Sequence, residues 1–460
     1  MIRNSRRRPP AFSAQGLALG LVLLALPVLS AQEKTQEEQR RDTIRYGTET
    51  EIASLIGTLK TEGADYLDSD LTSLVNDTRN KNILAGVFAF FAERTKGGLE
   101  QRARRAIEER DEEASETILA AIDYLGKLKD PQAVQMVKEL LDAEERRFMN
   151  AAFRALGRIG GGNPGSASEI AEYLIDYYAN RDPGDENRRE IVIAVGETGS
   201  REGVPFLTDL CANNDERAVV RMAALEALSK IGDDRGLQPI LDSITSSDPN
   251  VRSTAVAALG PFNGSEVDRA ILEAFRDSYW RTRISAAQAA KTRKLTAAVP
   301  YLAYRAERDE TPNVKDEAIR ALGAIGTGEA RSVLDKLFIE RKNAARVRLL
   351  AAEMLTELDG SGYAEQLVIE LDEAKRTNQT ALYNGFLKII GGMKSGKLES
   401  LAARFFDSGG ITEKSYAIDM VANNRFVGLA DRVQALTADE KNGGLARKAK
   451  SALDKMGISP

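Results

Sequence analysis

A repeated unit of about 32 residues runs through most of this chain and constrains its fold more than any other feature of the sequence. The segments at residues 156–160 and 322–326 read LGRIG and LGAIG, and related segments recur along the chain. The second residue of each such segment is taken as the anchor of its unit. The spacing of successive anchors is nearly constant, with one longer interval between Gly157 and Gly196. The anchors are Gly126, Gly157, Gly196, Ser229, Gly260, Lys291, Gly323, Thr356, Gly391, Ala422 and Asp454.

Each unit has the pattern of two helices joined by a turn. In the unit that ends at Gly260, residues 235–244 carry apolar side chains at the spacing of an amphipathic helix. Asp248 and Pro249 then supply a cap and a fixed φ angle for a second helix, and Gly260 marks its end. Small alanines recur in the second helices, which lets neighbouring hairpins approach closely. Because one hairpin cannot bury its apolar face alone, the pattern predicts a stack of hairpins.

This pattern resembles HEAT repeats, and in particular the short HEAT-like repeats of the phycobilisome-lyase type. The resemblance implies an all-α fold, a right-handed α-α superhelix (armadillo/HEAT-like solenoid) of about 12 helical hairpins of ~32 residues. It is specific for fold and weak for function, because this architecture mainly presents surfaces to partners. The motifs that carry it are DPNVR at 248–252 with Ala255 and ALG at 258–260, and NVK at 313–315 with Ala318 and ALG at 321–323.

The repeats divide the chain into four segments. Residues 115–460 are predicted to form the HEAT-like solenoid, and residues 48–114 degenerate N-terminal helical repeats. Residues 32–47 are highly charged and are expected to form a flexible linker, while residues 1–31 have the features of a signal peptide. The one long interval between anchors contains GGGNPG at 160–165, which is interpreted as an inserted loop.

The N-terminal segment, residues 1–31, predicts export. Four arginines precede an apolar run at residues 16–26, and small residues follow at 27–31. The run is about half the ~20 residues that a membrane-spanning helix needs. We therefore expect cleavage near Ser30 or Ala31 and a periplasmic or secreted protein with no stable membrane insertion afterwards. A retained membrane anchor is the alternative.

The amino-acid composition excludes many classes of catalytic centre. The chain has no histidine and a single cysteine, Cys211. These counts exclude Ser-His-Asp and Cys-His triads, His-ligated zinc, iron or haem, thiolate clusters and internal disulfides. They also exclude a deoxyhypusine hydroxylase, a HEAT-like enzyme that holds iron with His-Glu pairs. No catalytic residue, metal site or cofactor is expected.

The charge balance disfavours nucleic acid as a partner. The chain has 64 basic and 69 acidic side chains, and four of the basic ones lie within the predicted signal peptide. The exported chain therefore keeps 64 − 4 = 60 basic against 69 acidic side chains, a net charge of −9. Binding to nucleic acid or anionic lipid depends on a basic surface that releases counterions, so neither is the expected partner.

A basic side chain stands eight residues before the anchor in seven of the eleven units. One hypothesis is a ladder that clamps the carboxylates or phosphates of a ligand. The other, which we favour, is a structural role in which each basic residue pairs with an acidic loop residue such as Asp185, Asp215, Asp248 or Asp277. The positions of this basic ladder are Arg188, Arg221, Arg252, Arg283, Lys315, Arg348 and Lys414.

Three residues before the anchor, mostly polar side chains of varied type are expected to point away from the core. In such solenoids the second helix usually lines the concave side. A varied polar set at one structural position fits a binding groove for a protein partner, and it also fits a plain solvated helix face. The concave-face candidates are Arg154, Glu226, Gln288, Arg320, Glu353, Lys388 and Asp419.

Two other features allow more than one interpretation. The aromatic residues Phe275, Tyr279, Trp280, Tyr301 and Tyr304 fit either core packing or an anchor site for a peptide. Cys211 lies beside apolar residues and is interpreted as a small buried side chain, with an intermolecular disulfide as the alternative.

The sequence favours a non-catalytic scaffold of the bacterial cell envelope that binds a protein through its concave helix face. The alternative is a lyase-like or carboxylate-dependent enzyme built on the same solenoid. Phycobilin lyases act on antenna proteins inside the cell or plastid, which suits an exported chain poorly. The identity of the partner and the oligomeric state are left open by the sequence.

Overall fold

The computed structural model describes residues 35–181 and 183–458 of the chain. The predicted signal peptide, residues 1–31, lies outside the described residues. Every regular element in the described part is helical, which confirms the all-α fold class. The chain divides into two compact units, residues 1–74 and 75–460.

The first unit contains α1 (Gln36–Tyr46), α2 (Glu49–Glu62) and the start of α3 (Asp68–Asp77). Thr35 and Glu38 form a capping box at the start of α1, and Thr48 and Glu51 form another at the start of α2. Residues 36–46 are therefore helical where the sequence predicts a flexible linker. The physical reason is that a capping box satisfies free backbone N–H groups at the start of α1, and that α1 buries the side chain of Ile44.

The second unit contains the remaining helices and the repeat. Their bounds are α4 (Lys81–Glu93), α5 (Glu100–Glu108), α6 (Ser115–Leu128), α7 (Val134–Asp142), α8 (Arg146–Gly162), α9 (Pro164–Asn180), α10 (Gly184–Thr198), α11 (Gly203–Ala212), α12 (Ala218–Ile231), α13 (Leu237–Ser243), α14 (Pro249–Ala258), α15 (Ser265–Ala274), α16 (Trp280–Thr292), α17 (Val299–Arg308), α18 (Pro312–Ile325), α19 (Gly328–Ile339), α20 (Ala345–Arg376), α21 (Thr380–Gly392), α22 (Glu399–Ser408), α23 (Ile411–Asn424), α24 (Ala430–Leu436) and α25 (Gly443–Met456).

The helices pair into hairpins as the repeat predicts. Ten of the eleven anchors lie within the second helix of a hairpin, and Gly260 lies two residues after the end of α14. The Asp248 side chain accepts hydrogen bonds from the amides of Asn250 and Val251 at the start of α14, with Pro249 at its first position. Gly232 and Gly326 end α12 and α18 in the left-handed conformation, which glycine adopts without strain.

Helix α20 joins two hairpins without a loop. Its first part is the second helix of one hairpin, and its last part is the first helix of the next. Only Asp359, with φ −157° and ψ 79°, departs from helical geometry between them.

The second helices form the densely packed layer of the solenoid. Each packs closely on the second helix of the next hairpin, whereas successive first helices contact one another sparsely. Glycine anchors make this approach possible. A Cβ atom placed on Gly126 would lie 2.8 Å from the Ala155 Cα atom, and one on Gly157 would lie 2.8 Å from the Ala194 Cα atom. Small residues at the crossings therefore set the distance between hairpins.

The glycine-rich segment at 160–165 is not a loop. Residues 160–162 end α8, and Pro164 begins α9 after the single residue Asn163. A Cβ atom on Gly160 would lie 3.0 Å from the Thr198 Cγ2 atom, so the glycines let α8 pack closely on α10. The extra residues of the long interval lengthen two helices instead of forming an insertion.

Candidate functional site

The basic ladder connects each hairpin to the next. Arg252 donates through one guanidinium nitrogen to the backbone carbonyls of Ser246 and Ser247, at the turn within its own hairpin, at 2.9 and 3.3 Å. Its other nitrogens donate to both carboxylate oxygens of Asp277, in the following hairpin, at 2.8 and 3.0 Å. One side chain thus satisfies the end of a first helix and holds the next repeat.

Arg283 repeats this geometry one hairpin later. It donates to the carbonyls of Asp277 and Ser278 at 3.0 Å each, and to both carboxylate oxygens of Asp309 at 2.7 and 2.8 Å. Asp277 therefore contributes its carboxylate to one ladder residue and its carbonyl to the next. This arrangement makes the ladder a continuous series across consecutive hairpins.

Other ladder positions make all or part of the same contacts. Arg348 donates to the Phe338 carbonyl at 2.8 Å and to Glu370 at 2.6 Å. Arg221 and Lys315 donate to carbonyls only, those of Cys211 and Glu307 respectively. Arg188 donates to Glu216 at 3.2 Å, and the charge of Lys414 acts on Asp439.

These contacts support the structural interpretation of the ladder but change its partners. The sequence pairs each basic residue with an acidic residue near its own turn. In Arg188, Arg252, Arg283 and Arg348 the acidic partner lies 22 to 28 residues further along the chain. Local spacing favours the nearer carboxylate, but the stacking of hairpins brings the later one beside the guanidinium group.

Burial and the neighbouring hydrogen-bond donors shift the pKa values of the acidic ladder residues in opposite directions. Burial alone raises the pKa of the Asp277 and Asp309 carboxyls. Hydrogen bonds from Arg252 and from the amide of Tyr279 nevertheless hold the pKa of Asp277 below its usual range. Arg283 and the amide of Thr311 do the same for the pKa of Asp309. Both carboxylates are therefore charged members of ion pairs, of which Arg283–Asp309 is buried and Arg252–Asp277 is half-buried.

The candidates three residues before the anchor lie at the surface of the second-helix layer. All are exposed except Asp419, which is half-buried. Arg154 lies 4.0 Å from Glu190 on the next second helix, and Asp419 accepts from Lys448 at 2.6 Å. These two therefore take part in contacts between repeats, while Gln288 is exposed.

The other four candidates line three grooves on this layer. Glu226 lines a small groove of about 280 Å³ with serine and alanine side chains of α12, α14 and α16. Arg320 and Glu353 line one of about 620 Å³ between α18 and α20. Glu353 also lines one of about 500 Å³ between α20 and α21, together with Lys388. The structure thus brings together candidates that belong to successive repeats of the sequence.

An ion-pair network lies beside the α18–α20 groove. Glu317, buried in α18, accepts from Lys291 of α16 at 2.5 Å and lies 3.5 Å from Arg320. Asp316, also buried, pairs with Arg346 of α20. Sequence reasoning missed these two acids. Adjacent acidic residues at the start of a helix are common, and only the stacking of the helices shows that both are buried.

The grooves also contain residues that the sequence did not single out. Glu357 and Lys394 line the α20–α21 groove, and Leu350 and Met354 line the α18–α20 groove. Glu357 lies four residues after Glu353, so helical periodicity could have identified it. Lys394 follows the end of α21, and no periodic signal marks it.

The aromatic residues do not form one surface. Phe275 is 1% exposed and stacks on Tyr301 with 5.8 Å between ring centroids, as core packing predicts. Tyr279 and Trp280 are half-buried and adjacent, with ring centroids 6.2 Å apart. Tyr304 is 52% exposed but belongs to the first helix α17. An aromatic anchor on the second-helix face is therefore not supported.

Cys211 is buried, and burial raises the pKa of its thiol to about 12. The thiolate, which is the reactive form, is therefore scarce at neutral pH. This environment supports the interpretation of Cys211 as a small buried side chain.

The described residues contain neither a recognisable metal site nor a membrane-spanning helix. No group of three or more Asp, Glu or Cys side chains there is arranged to hold a metal ion. Within those same residues, none of the helices has both the length and the apolarity to cross a membrane.

Among curated proteins, the chain is similar to two deoxyhypusine hydroxylases. It is 28% identical to that of Candida albicans over 184 residues, which cover 39% of this chain and 57% of the hydroxylase. It is 27% identical to that of Kluyveromyces lactis over 139 residues, covering 28% and 41% of the two chains. The chain thus spans about half the length of these relatives.

Similar solved structures include importin beta and the karyopherin Kap121p. Each matches 91% of this chain at 13% identity and a TM-score of 0.45, covering 69% and 53% of the other chain. Human deoxyhypusine hydroxylase matches 64% of this chain and all of its own, at 17% identity and a TM-score of 0.26.

A family model gives the widest sequence match. The model described as spirochaete HEAT repeat protein matches residues 44–452, which include all but the last of the eleven anchors. The match also takes in α2 and α3, so it reaches further towards the N-terminus than the clear part of the repeat. Together with the helical hairpins, this match establishes that the chain is a HEAT-repeat solenoid and belongs to the spirochaete HEAT repeat protein family.

Proposed function

We propose that this protein is a non-catalytic HEAT-repeat scaffold of the bacterial cell envelope, which binds a protein partner through the exposed face of its second helices. One observation carries the proposal: a single helix position supplies Glu226, Arg320, Glu353 and Lys388 to three grooves of one layer. Residues that line a series of grooves favour distributed contacts with a macromolecule over one reacting centre.

The basic ladder supports a division between positions that hold the repeats together and positions that bind the partner. Its guanidinium groups are occupied by carbonyls and carboxylates of the protein itself, so they maintain the stack and leave recognition to the other positions. The groove-lining side chains three residues before the anchor differ in sign and size, and Glu226, Glu353 and Lys388 form no ion pair between hairpins within the described residues.

Changing one charge in each groove should weaken partner binding without unfolding the solenoid. The test protein is residues 32–460 with Glu226→Lys, Arg320→Glu and Lys388→Glu, used with mild crosslinking to capture partners from a cell-envelope extract. We expect the captured partner to be reduced at least tenfold, because exposed interface charges act on association and specificity. Mass spectrometry of the captured proteins measures this change.

A matched control variant tests whether the effect is specific to the grooves or common to any exposed surface. Glu172→Lys, Arg269→Glu and Arg308→Glu make the same net charge change on exposed positions of the first helices α9, α15 and α17. This control should retain the partner. Equal losses from both variants, or no loss from either with unchanged melting, would contradict binding through the second-helix face.

Export is the second part of the proposal, and the signal-like residues 1–31 support it. Expression of the full chain in its bacterial host should yield an envelope protein that begins close to Ala31 or Gln32. N-terminal peptide analysis of the fractionated cells measures this directly. A cytoplasmic protein that still begins at Met1 would contradict the proposed location.

The similarity to deoxyhypusine hydroxylases favours an enzyme as the second candidate. That similarity covers 39% of the chain, and the absence of histidine leaves no residue for a His-ligated iron. Carboxylates are the remaining candidates for chemistry. Those of Asp277 and Asp309, in the ladder, are held in ion pairs with Arg252 and Arg283, which favours the scaffold.

A further inference from the structure

The groove between α20 and α21 has walls of opposite charge. Glu353 and Glu357 lie on the α20 side, and Lys388 and Lys394 lie on the side of α21 and the turn after it. All four side chains are exposed. Ile389, half-buried, and Met393, 6% exposed, also line the groove, so it contains apolar as well as charged side chains.

These four charges are unpaired, unlike others in the same layer. Lys291 pairs with Glu317 between α16 and α18, Arg346 with Asp316 between α18 and α20, and Lys448 with Asp419 between α23 and α25. In the described part of the chain, neither glutamate nor either lysine of the α20–α21 groove has an oppositely charged partner within 4.0 Å.

Repulsion between the two glutamates also destabilises their own helix. Glu353 and Glu357 are four residues apart on α20, where two like charges face each other and disfavour the helix. A cation placed between them would remove that repulsion. The lysines line the same groove without pairing with the glutamates, so this position can accept a cation from a bound molecule.

The groove also has the size and lining that suit a peptide. Its volume of about 500 Å³ lies within the range of ligand sites in proteins. Gly360, Ser361 and Gly392 line it, so a bound main chain would meet few bulky side chains at those points. A polyanion such as nucleic acid would meet the glutamate wall, and the two signs together therefore disfavour it.

We propose that this groove docks a mixed-charge peptide segment of the partner. The segment places an arginine or lysine against Glu353 and Glu357, an acidic residue against Lys388 and Lys394, and an apolar side chain over Ile389 and Met393. This inference rests on the proposed function and adds the chemistry of the partner to it.

A random dodecapeptide display library, selected on residues 32–460, tests the proposal without knowledge of the partner. We expect the enriched peptides to combine a basic and an acidic residue on either side of an apolar one. Fluorescence anisotropy should show that Glu353→Lys with Glu357→Lys weakens the best peptide at least tenfold. Lys388→Glu with Lys394→Glu provides an independent test from the other wall.

Exchange of the charges on the two walls tests the proposal by a gain of binding. The variant that carries all four substitutions should bind poorly to the selected peptide and should recover affinity for a peptide with its basic and acidic residues exchanged. Glu108→Lys, an exposed change on α5, is the control and should leave binding unchanged. Circular dichroism melting verifies that each variant is folded.

Other outcomes overturn the inference. Enriched peptides of a single charge sign, peptides bound equally by the wild type and both wall variants, or no enrichment would each contradict a mixed-charge docking groove. The scaffold proposal has its own readout. If the groove between α20 and α21 binds no peptide, Glu226→Lys and Arg320→Glu should still reduce capture of the partner. Failure of the groove can thus be distinguished from failure of the scaffold.

Discussion

Replacement of Arg348 by alanine should lower the free energy of unfolding by about 3–5 kcal/mol, the usual result of removing one partner from a buried ion pair. The side chains of Arg348 and Glu370 are only 4% and 7% exposed, and they are 2.6 Å apart. Without the guanidinium group, Glu370 becomes a buried charge with no cationic partner, and the Phe338 carbonyl loses its hydrogen-bond donor. Chemical denaturation followed by circular dichroism measures the loss.

Arg376→Ala provides a matched control on the same helix, α20. Arg376 is 70% exposed and pairs with Glu373 three residues earlier, so its loss should change the melting temperature little. Arg348→Met combined with Glu370→Gln removes both charges and should be less damaging than Arg348→Ala alone. If the double variant is as unstable as the single one, packing and not an uncompensated charge explains the effect.

The ladder explains why the repeat can be recognised in the sequence while its contacts cannot. The period, the turn at Asp248 and Pro249 and the helix-ending glycines are local signals, and they predict the hairpins of the second unit correctly. The carboxylate that Arg252 binds is 25 residues away. Its position depends on how two hairpins stack, which a pattern read within one hairpin does not contain.

The same limit applies to the candidate grooves. Helical spacing predicts that Arg320, Glu353 and Lys388 are exposed, and the structure confirms it. Spacing does not show that Glu353 lies between two grooves, or that Arg154 and Asp419 contact charges on neighbouring helices. The glycines at 160–162 predict a loop, which is wrong, because here the lack of side chains permits close helix packing.

Gly196→Val should strongly destabilise the second-helix layer, with an expected loss of about 3 kcal/mol, at the upper end of the usual cost of overpacking. A Cβ atom at this position would lie 2.5 Å from the Ala227 Cβ atom and 2.7 Å from its Cα atom. Because the nearest atoms include backbone of α12, a side-chain rotation cannot relieve the overlap. The two helices must separate, and the contacts between their hairpins weaken. Thermal unfolding followed by circular dichroism measures the effect.

Gly165→Val tests whether close approach, and not glycine as such, is the cause. Gly165 is exposed in the first turn of α9, and a Cβ atom there would meet no other atom within 4 Å. Its substitution should change stability little, since the helix tolerates a side chain that contacts nothing. In a stack where each hairpin contacts only its neighbours, damage at the α10–α12 contact should also uncouple the repeats on either side and broaden the unfolding transition. A sharp transition with an unchanged midpoint for Gly196→Val would show that the packed second helices can accommodate a larger side chain. Glycine anchors would then not set the spacing of the solenoid.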